Sequence, residues 1–223
     1  MTPLSIMVVA PHPDDETLGC GGYLLKMKQL GAKIHWVIGT QMTSPAYSES
    51  QMTQRTAIIK SVAKGFEFDT IHQLPFPAAQ LDHFPMGDIV TALGKIASEI
   101  QPNILLIPNR SDIHSDHGVL FHACLSISKW FRYPSVRSIL MYEVLSETDF
   151  SPALPEAGFL ANVFYDITVV LEKKIEIMRL YHTEIFSHPF PRNEETIKAQ
   201  ALLRGAQAGC RYAEGFVLIK EIR

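Results

Sequence analysis

The sequence predicts an α/β fold: a Rossmann-like, mostly parallel sheet with helices on both faces and an active site at the C-terminal strand edge. Three observations carry this expectation. Short apolar runs alternate with longer amphipathic segments up to residue 145. The runs are almost continuously apolar, as in strands covered on both faces. Two motifs rich in acids and histidines each follow such a run directly, which places both at carboxyl ends of strands, where open α/β sheets bind ligands.

The elements follow in chain order. "SIMVVA" (5–10) reads as a buried strand, and "ETLGCGGYLLKMKQLG" (16–31) as a helix stopped by Gly31. "KIHWVIGT" (33–40) is the second strand, "YSESQMTQRTAIIKSVAKG" (47–65) the second helix and "DTIHQL" (69–74) a weaker third strand. "GDIVTALGKIASEIQ" (87–101) is helical, and "NILLIP" (103–108) is the fourth strand. "DHGVLFHACLSISKWF" (116–131) reads as helix and "SVRSILMYEV" (135–144) as strand. The pattern then loosens. "SPALPEAG" (151–158) and "SHPFPR" (187–192) are loops around a strand at 162–170 and a helix at 171–185. A helix near 193–207 and the strand "EGFVLIK" (214–220) complete the pattern. No repeat or linker divides the chain, so one domain spanning 1–223 is expected.

Composition narrows the function. The 223 residues are 47% hydrophobic and 19% charged, with a net charge of −3, the balance of an ordinary soluble domain. No basic run offers a nucleic-acid footprint. The three cysteines, Cys20, Cys124 and Cys210, form no CxxC pair, which argues against a disulfide framework or a thiolate zinc site. The N-terminus lacks a basic n-region and meets acids early, and no apolar run approaches the roughly 20 residues of a membrane span. A cytoplasmic protein, with a homo-oligomer as one open possibility, is the expectation.

The chemistry concentrates in "PHPDDE" (11–16) and "NRSDIHSDHG" (109–118). In a sheet ordered 3-2-1-4 the first and fourth strands are neighbours, so His12, Asp14, Asp15 and Glu16 would share a pocket with Asp112, His114, Asp116 and His117. Adjacent like charges beside an apolar layer call for a cation. Two imidazoles and a carboxylate with one open position are the mark of catalytic zinc, and Fe²⁺ is close in ligand preference. Taken singly, "HPDD" also reads as a turn and "DIHSDH" as a capped helix start. Their convergence on adjacent strands is much harder to explain by folding needs. Gly19, Gly21 and Gly22 do not complete a dinucleotide motif: Leu24 stands where the third glycine is required, and "GTQMTS" has no acid for a ribose. Close helix–sheet packing is their expected role.

"PHPDDETLGCGG" with "DIHSDH" resembles the PIG-L (LmbE-like) family of metal-dependent N-acetylglucosaminyl deacetylases, whose motif AHPDDExxGxGG is followed downstream by HxDH. "FYDIT…KKIEIMRLY" and "YAEGF" also resemble segments of bacterial members. The resemblance implies His12, Asp15 and His117 as ligands of Zn²⁺ or another divalent metal, and Asp14 as general base. It implies that His114 stabilises the oxyanion or donates a proton, with Asp116 orienting that imidazole. The implied reaction removes acetyl from an N-acetylated amino sugar: a GlcNAc-type glycoside, a sugar nucleotide or a glycoconjugate. Either Asp14 or His114 is left to protonate the amine. Pro11 replaces the usual Ala, no acid follows Arg55 at the usual place, and "YHTEI" replaces Y-x-S-Q. These departures fall on the substrate side.

Arg55 is a substrate-binding candidate, because family members often place an arginine in this helix. Asp112 is expected near the site. Tyr142 and Glu143, at a strand end, are candidates for the pocket wall. His182 and His188 flank the Pro-rich loop, while His35, His72, His83 and His122 read as structural or surface. Trp36 and Trp130 read as core. Loops 41–50, 145–160 and 186–192 are expected to rim the site and select substrate. Two alternatives stand beside the deacetylase. A metal-dependent phosphoesterase normally needs two ions roughly 3.5–4 Å apart. A non-catalytic, metal-stabilised binding domain would leave Asp14 and His114 without work.

Overall fold

The structure, a computed structural model, describes residues 3–223. Seven strands form one sheet in the order β3-β2-β1-β4-β5-β7-β6: β1 (Ser5–Ala10), β2 (Lys33–Ile38), β3 (Thr70–Gln73), β4 (Ile104–Pro108), β5 (Ser138–Tyr142), β6 (Val163–Asp166) and β7 (Ala213–Glu221). The first five pair in parallel, and the β5–β7 and β6–β7 pairs are antiparallel. β1 lies between β2 and β4, with Val8 beside both Trp36 and Leu106. The helices are α1 (Asp15–Gln29), α2 (Glu49–Phe66), α3 (Met86–Ile100), α4 (Ser115–Ser126), α5 (Leu171–Met178) and α6 (Glu194–Ala208).

Strand periodicity divides the core in two. Ile6, Val8 and Ala10 of β1 join the cluster under α1, α2, α5 and α6, whereas Met7 and Val9 join the one under α3 and α4. Both faces of β1 are therefore dry, and its apolar run is continuous for that reason. β3 is mostly exposed, which is why it reads weakly in sequence.

Two helices stop short of their expected ends. α4 closes at Ser126: the amides of Ile127 and Ser128 bond back three residues, and the Ser128 hydroxyl donates to the Leu125 carbonyl at 2.7 Å. Trp130 then lies outside the helix and 65% exposed, contrary to its expected place in the core, whereas Trp36 is fully buried. α5 ends at Met178, and three-residue turns rotate Tyr181 inward so that its hydroxyl donates to Glu16 at 2.7 Å.

α1 is broken at Cys20, whose backbone leaves helical geometry (φ −143°). The break frees backbone groups in a dry place, where each needs a partner. Lys174 Nζ donates to the Leu18 carbonyl at 2.8 Å, and the Glu214 carboxylate accepts from the amides of Gly22 and Tyr23 at 2.8 and 2.7 Å. Lys174 and Glu214 close the splint with a buried 2.7 Å ion pair. Replacing Lys174 by Met is expected to destabilise the protein by about 3–5 kcal/mol, read from denaturant unfolding, because Glu214 keeps a buried charge without its partner. Of the three glycines, Gly19 fills the expected helix–sheet role, since its Cβ would fall 2.8 Å from the Glu143 carbonyl just past the end of β5; Gly22 instead packs on Ile167, beyond β6, at 2.6 Å, and Gly21 on Phe66 of α2 at 3.2 Å.

Candidate functional site

β1 and β4 end side by side, so the loops leaving them meet above the sheet. The first loop turns sharply into α1 through Asp14, whose φ of 133° is strained for any residue but glycine. That turn sends two adjacent carboxylates different ways. Asp15 Oδ2 accepts from the His12 amide at 2.8 Å, whereas Asp14 Oδ2 accepts from Arg192 Nη1 at 3.1 Å. The second loop leads into α4, which begins beyond His114 and carries Asp116 and His117 in its first turn.

His12, Asp15 and His117 converge. Asp15 Oδ2 lies 3.5 Å from His12 Nδ1 and 3.4 Å from His117 Nε2, and one donor atom from each residue fits within 4.8 Å of the others. Tetrahedral zinc with bonds of about 2.0–2.1 Å sets its ligand atoms about 3.3–3.4 Å apart. The far nitrogen of each ring meets a carboxylate: His12 Nε2 donates to Asp116 at 3.0 Å, and His117 Nδ1 donates to Asp112 at 2.8 Å. A second carboxylate behind each imidazole is how metal-ligating histidines are held. His117 Nε2 is buried with no hydrogen-bond partner, a cost that a cation would remove. The donor set therefore fits a divalent metal.

Electrostatics agree. Burial opposes charge on His12, but Asp116 and Asp15 outweigh it and push its pKa up to about 9. Burial likewise opposes charge on His117, while Asp15 and Asp112 push it up to about 10. Burial acts to raise Asp15, yet the two imidazoles hold it well below the usual carboxylate range. Burial first, and then the charge of Asp15, push Asp14 well above it. The chain thus offers two protons where a metal would stand.

Asp116 departs from expectation. Its carboxylate does not reach His114: the nearest approach is 4.0 Å, to Nδ1. Instead it accepts from His12 and from the amides of Ala79 at 2.7 Å and Leu81 at 3.0 Å, fully buried beneath the pocket. His114 is oriented by backbone, because its Nδ1 accepts from the Asp116 amide at 3.2 Å. That bond leaves any proton of the neutral ring on Nε2.

The pocket above the cluster has a volume of about 340 Å³, near the low end for a small-ligand site. His12, Asp14, Asp15 and His114 line its floor, and Arg55 reaches its wall. Each loop expected at the rim contributes: Gln41 and Tyr47 from 41–50, Glu147 from 145–160 and Arg192 from 186–192. Tyr142 and Glu143 do not line this pocket. Tyr142 turns under the sheet edge and donates to the Val9 carbonyl at 2.7 Å, and Glu143 is gripped by Arg204 at 2.6 and 2.7 Å. Glu147, Glu184 and Arg192 escaped the sequence reading as individual residues, because irregular loops carry no periodic signal. Glu184 lies within "YHTEI", a noted departure.

A Rossmann-like sheet with a His/Asp cluster at its topological switch point defines a class of α/β protein before any relative is considered. The PIG-L model, described as GlcNAc-PI de-N-acetylase, matches residues 7–128, and the chain belongs to that family. It is 24% identical over 234 residues to the diacetylchitobiose deacetylase of Thermococcus kodakarensis, covering 97% of this chain and 84% of that protein. The fold resembles that of the N,N'-diacetylchitobiose deacetylase from Pyrococcus horikoshii, with a TM-score of 0.76 and 20% identity over 97% of this chain and 84% of the other. It also resembles a 4-carboxy-2-hydroxymuconate hydratase from Pseudomonas putida KT2440, with a TM-score of 0.73 and 18% identity over 99% and 98% of the two chains. One fold thus carries both deacetylases and a hydratase, so function rests on the site.

Proposed function

We propose that this protein is a divalent-metal amidase, with zinc the favoured ion and Fe²⁺ the alternative, that removes acetyl from an N-acetylated amino sugar. The observation that carries the reading is the placing of Asp14 beside a three-residue metal cradle at the floor of a small pocket. His12, Asp15 and His117 would hold the ion, which would supply Lewis acidity and a lowered pKa for water at the site.

The chain's own residues do the rest. Asp14 faces the pocket and accepts the proton of the attacking water as its oxygen bonds to the acetamide carbon. Arg192 Nη1, 3.1 Å away, holds its carboxylate in place. His114 points Nε2–H at the oxygen where charge develops. Burial and the neighbouring His12 lower its pKa, so it acts as a neutral donor. Asp14 therefore holds the proton that the departing amine needs. It returns that proton as the C–N bond breaks, giving acetate and a free amino sugar. Asp116 and Asp112 are positioning residues for His12 and His117.

The phosphoesterase alternative needs a second ion. His12, His114 and Asp116 form a second candidate group, but it shares His12 with the first. Asp116 in that group already accepts three hydrogen bonds. A cytoplasmic location accords with the free cysteines, and no helix of the described residues is long and apolar enough to cross a membrane. Acetate release from N-acetylglucosamine and diacetylchitobiose by the metal-loaded protein tests the reaction. Release that stops on chelation and returns with zinc is expected; no release from any N-acetyl sugar would refute the reading.

A further inference from the structure

Beside the metal cradle, the pocket carries two arginines that arrive from distant parts of the chain, Arg55 on α2 and Arg192 on the loop before α6. One carboxylate serves both. Arg55 Nη2 donates to Glu184 Oε1, and Arg192 Nη2 lies 3.5 Å from Glu184 Oε2, so each oxygen faces one guanidinium. Arg55 Nη1 also donates to the Pro13 carbonyl at 3.3 Å and Arg192 Nη1 to Asp14 at 3.1 Å, while the Arg192 guanidinium lies over the Phe190 ring at 5.5 Å with its Nε buried and unpartnered. Glu184 is held in turn, since its amide donates to the Tyr181 carbonyl at 2.8 Å and its Oε1 accepts from the Thr183 hydroxyl at 3.2 Å. The pocket lining sets Arg55 and Arg192 against Asp14, Asp15, Glu147 and Glu184. A divalent ion at the cradle brings the formal sum of these groups to zero.

We propose that Glu184 is a specificity-determining residue: by occupying both arginines it admits uncharged N-acetyl sugars and turns away phosphorylated or nucleotide-linked ones. This rests on the reading of the pocket as an N-acetyl-sugar site. Arginine pairs are otherwise natural phosphate clamps, because each presents a planar fork of donors to oxygen. Here an arriving phosphate would have to displace Glu184 from both guanidiniums and then face that carboxylate across a partly dry pocket. Sugar hydroxyls face no such conflict. They can donate to Glu184 or Glu147 without disturbing either ion pair.

The test is Glu184→Gln, which keeps side-chain length and one acceptor oxygen and removes the charge. With metal-loaded protein, kcat/KM is measured for N-acetylglucosamine and for its 1-phosphate and 6-phosphate. Wild type should prefer the uncharged sugar, and the variant should shift the ratio toward a phosphate by about tenfold or more, the worth of one charge-assisted contact. The metal's own attraction for phosphate is common to both proteins and cancels in the comparison. An unchanged ratio, or a wild type that takes the phosphates as readily as the free sugar, overturns the proposal. Binding of glucose and glucose 6-phosphate by calorimetry supplies a readout without turnover. If neither protein releases acetate from any substrate, the amidase reading fails, and the calorimetric comparison still decides whether Glu184 excludes anions. A variant that does not fold leaves the wild-type preference to decide it.

Discussion

Asp14→Asn is expected to keep its fold and its metal and to lose about 10²–10⁴-fold in kcat, the usual worth of a general base. Asparagine preserves size and can still hydrogen-bond the attacking water, but it cannot take the proton. The turn at Asp14 is as strained for Asn as for Asp, and because the two side chains share size and branching the change adds little to that strain. Metal content should hold, because it is Asp15, not Asp14, that turns toward His12 and His117. The pH profile carries a second signature. A base works only when ionised, so the wild-type rate rises with pH through the Asp14 pKa. The variant should lack that ascending limb. Near wild-type turnover would remove Asp14 from the mechanism. Glu16 and Asp116 are poor substitutes: Glu16 is buried against Thr17 and Tyr181, and Asp116 lies beneath the floor. Glu147 would then be the remaining carboxylate of the wall to examine.

The 3-2-1-4 part of the strand order and the meeting of the two motifs were legible because both follow from local pattern, whereas the β5-β7-β6 edge with its antiparallel strand was not. Apolar runs such as "SIMVVA" and "NILLIP" mark buried parallel strands, and chain connectivity limits how such strands can be ordered. The pattern offered eight acids and histidines at two strand ends and left the ligand set open; the resemblance to the PIG-L motif singled out His12, Asp15 and His117, and the structure brings these three together. What the second carboxylates do was not legible. Asp116 stands two residues from His114 and suggests that pairing, yet the first turn of α4 carries its side chain to His12 and to the Ala79–Leu81 segment, more than thirty residues earlier in the chain. Trp130 read as core because the helix pattern runs past Ser126, and the serine-capped end that expels it is decided by local hydrogen bonds. Arg192 and Glu184 were hidden for a related reason: their meaning lies in contacts with Asp14 and Arg55, far away in sequence.

His117→Ala should abolish stable metal binding, measured as metal content after dialysis against apo buffer. The ring supplies one of three protein ligands, and its Nε2 is buried without a hydrogen-bond partner, 3.4 Å from Asp15 Oδ2. Alanine also strands Asp15. In the metal-free wild type, the His117 imidazole is the strongest influence holding that buried carboxylate ionised against desolvation. Loss of one partner of a buried charge pair typically costs about 3–5 kcal/mol, so the variant should also unfold more easily than metal-free wild type. Proton counting gives an independent check on wild type. His12 and His117, raised to about 9 and about 10, are both protonated at neutral pH before the ion arrives. Coordination needs both in the neutral form, so metal uptake in weak buffer should release more than one proton per ion, and affinity should fall as pH falls. Asp112→Asn and Asp116→Asn keep all three ligands and remove only the charge behind each ring. They should lose about 10–100-fold in metal affinity rather than all of it. The order His117→Ala far below Asp112→Asn and Asp116→Asn, with Asp14→Asn unaffected, separates ligand, positioning residue and base by metal content alone. Full metal occupancy in His117→Ala would overturn the ligand assignment.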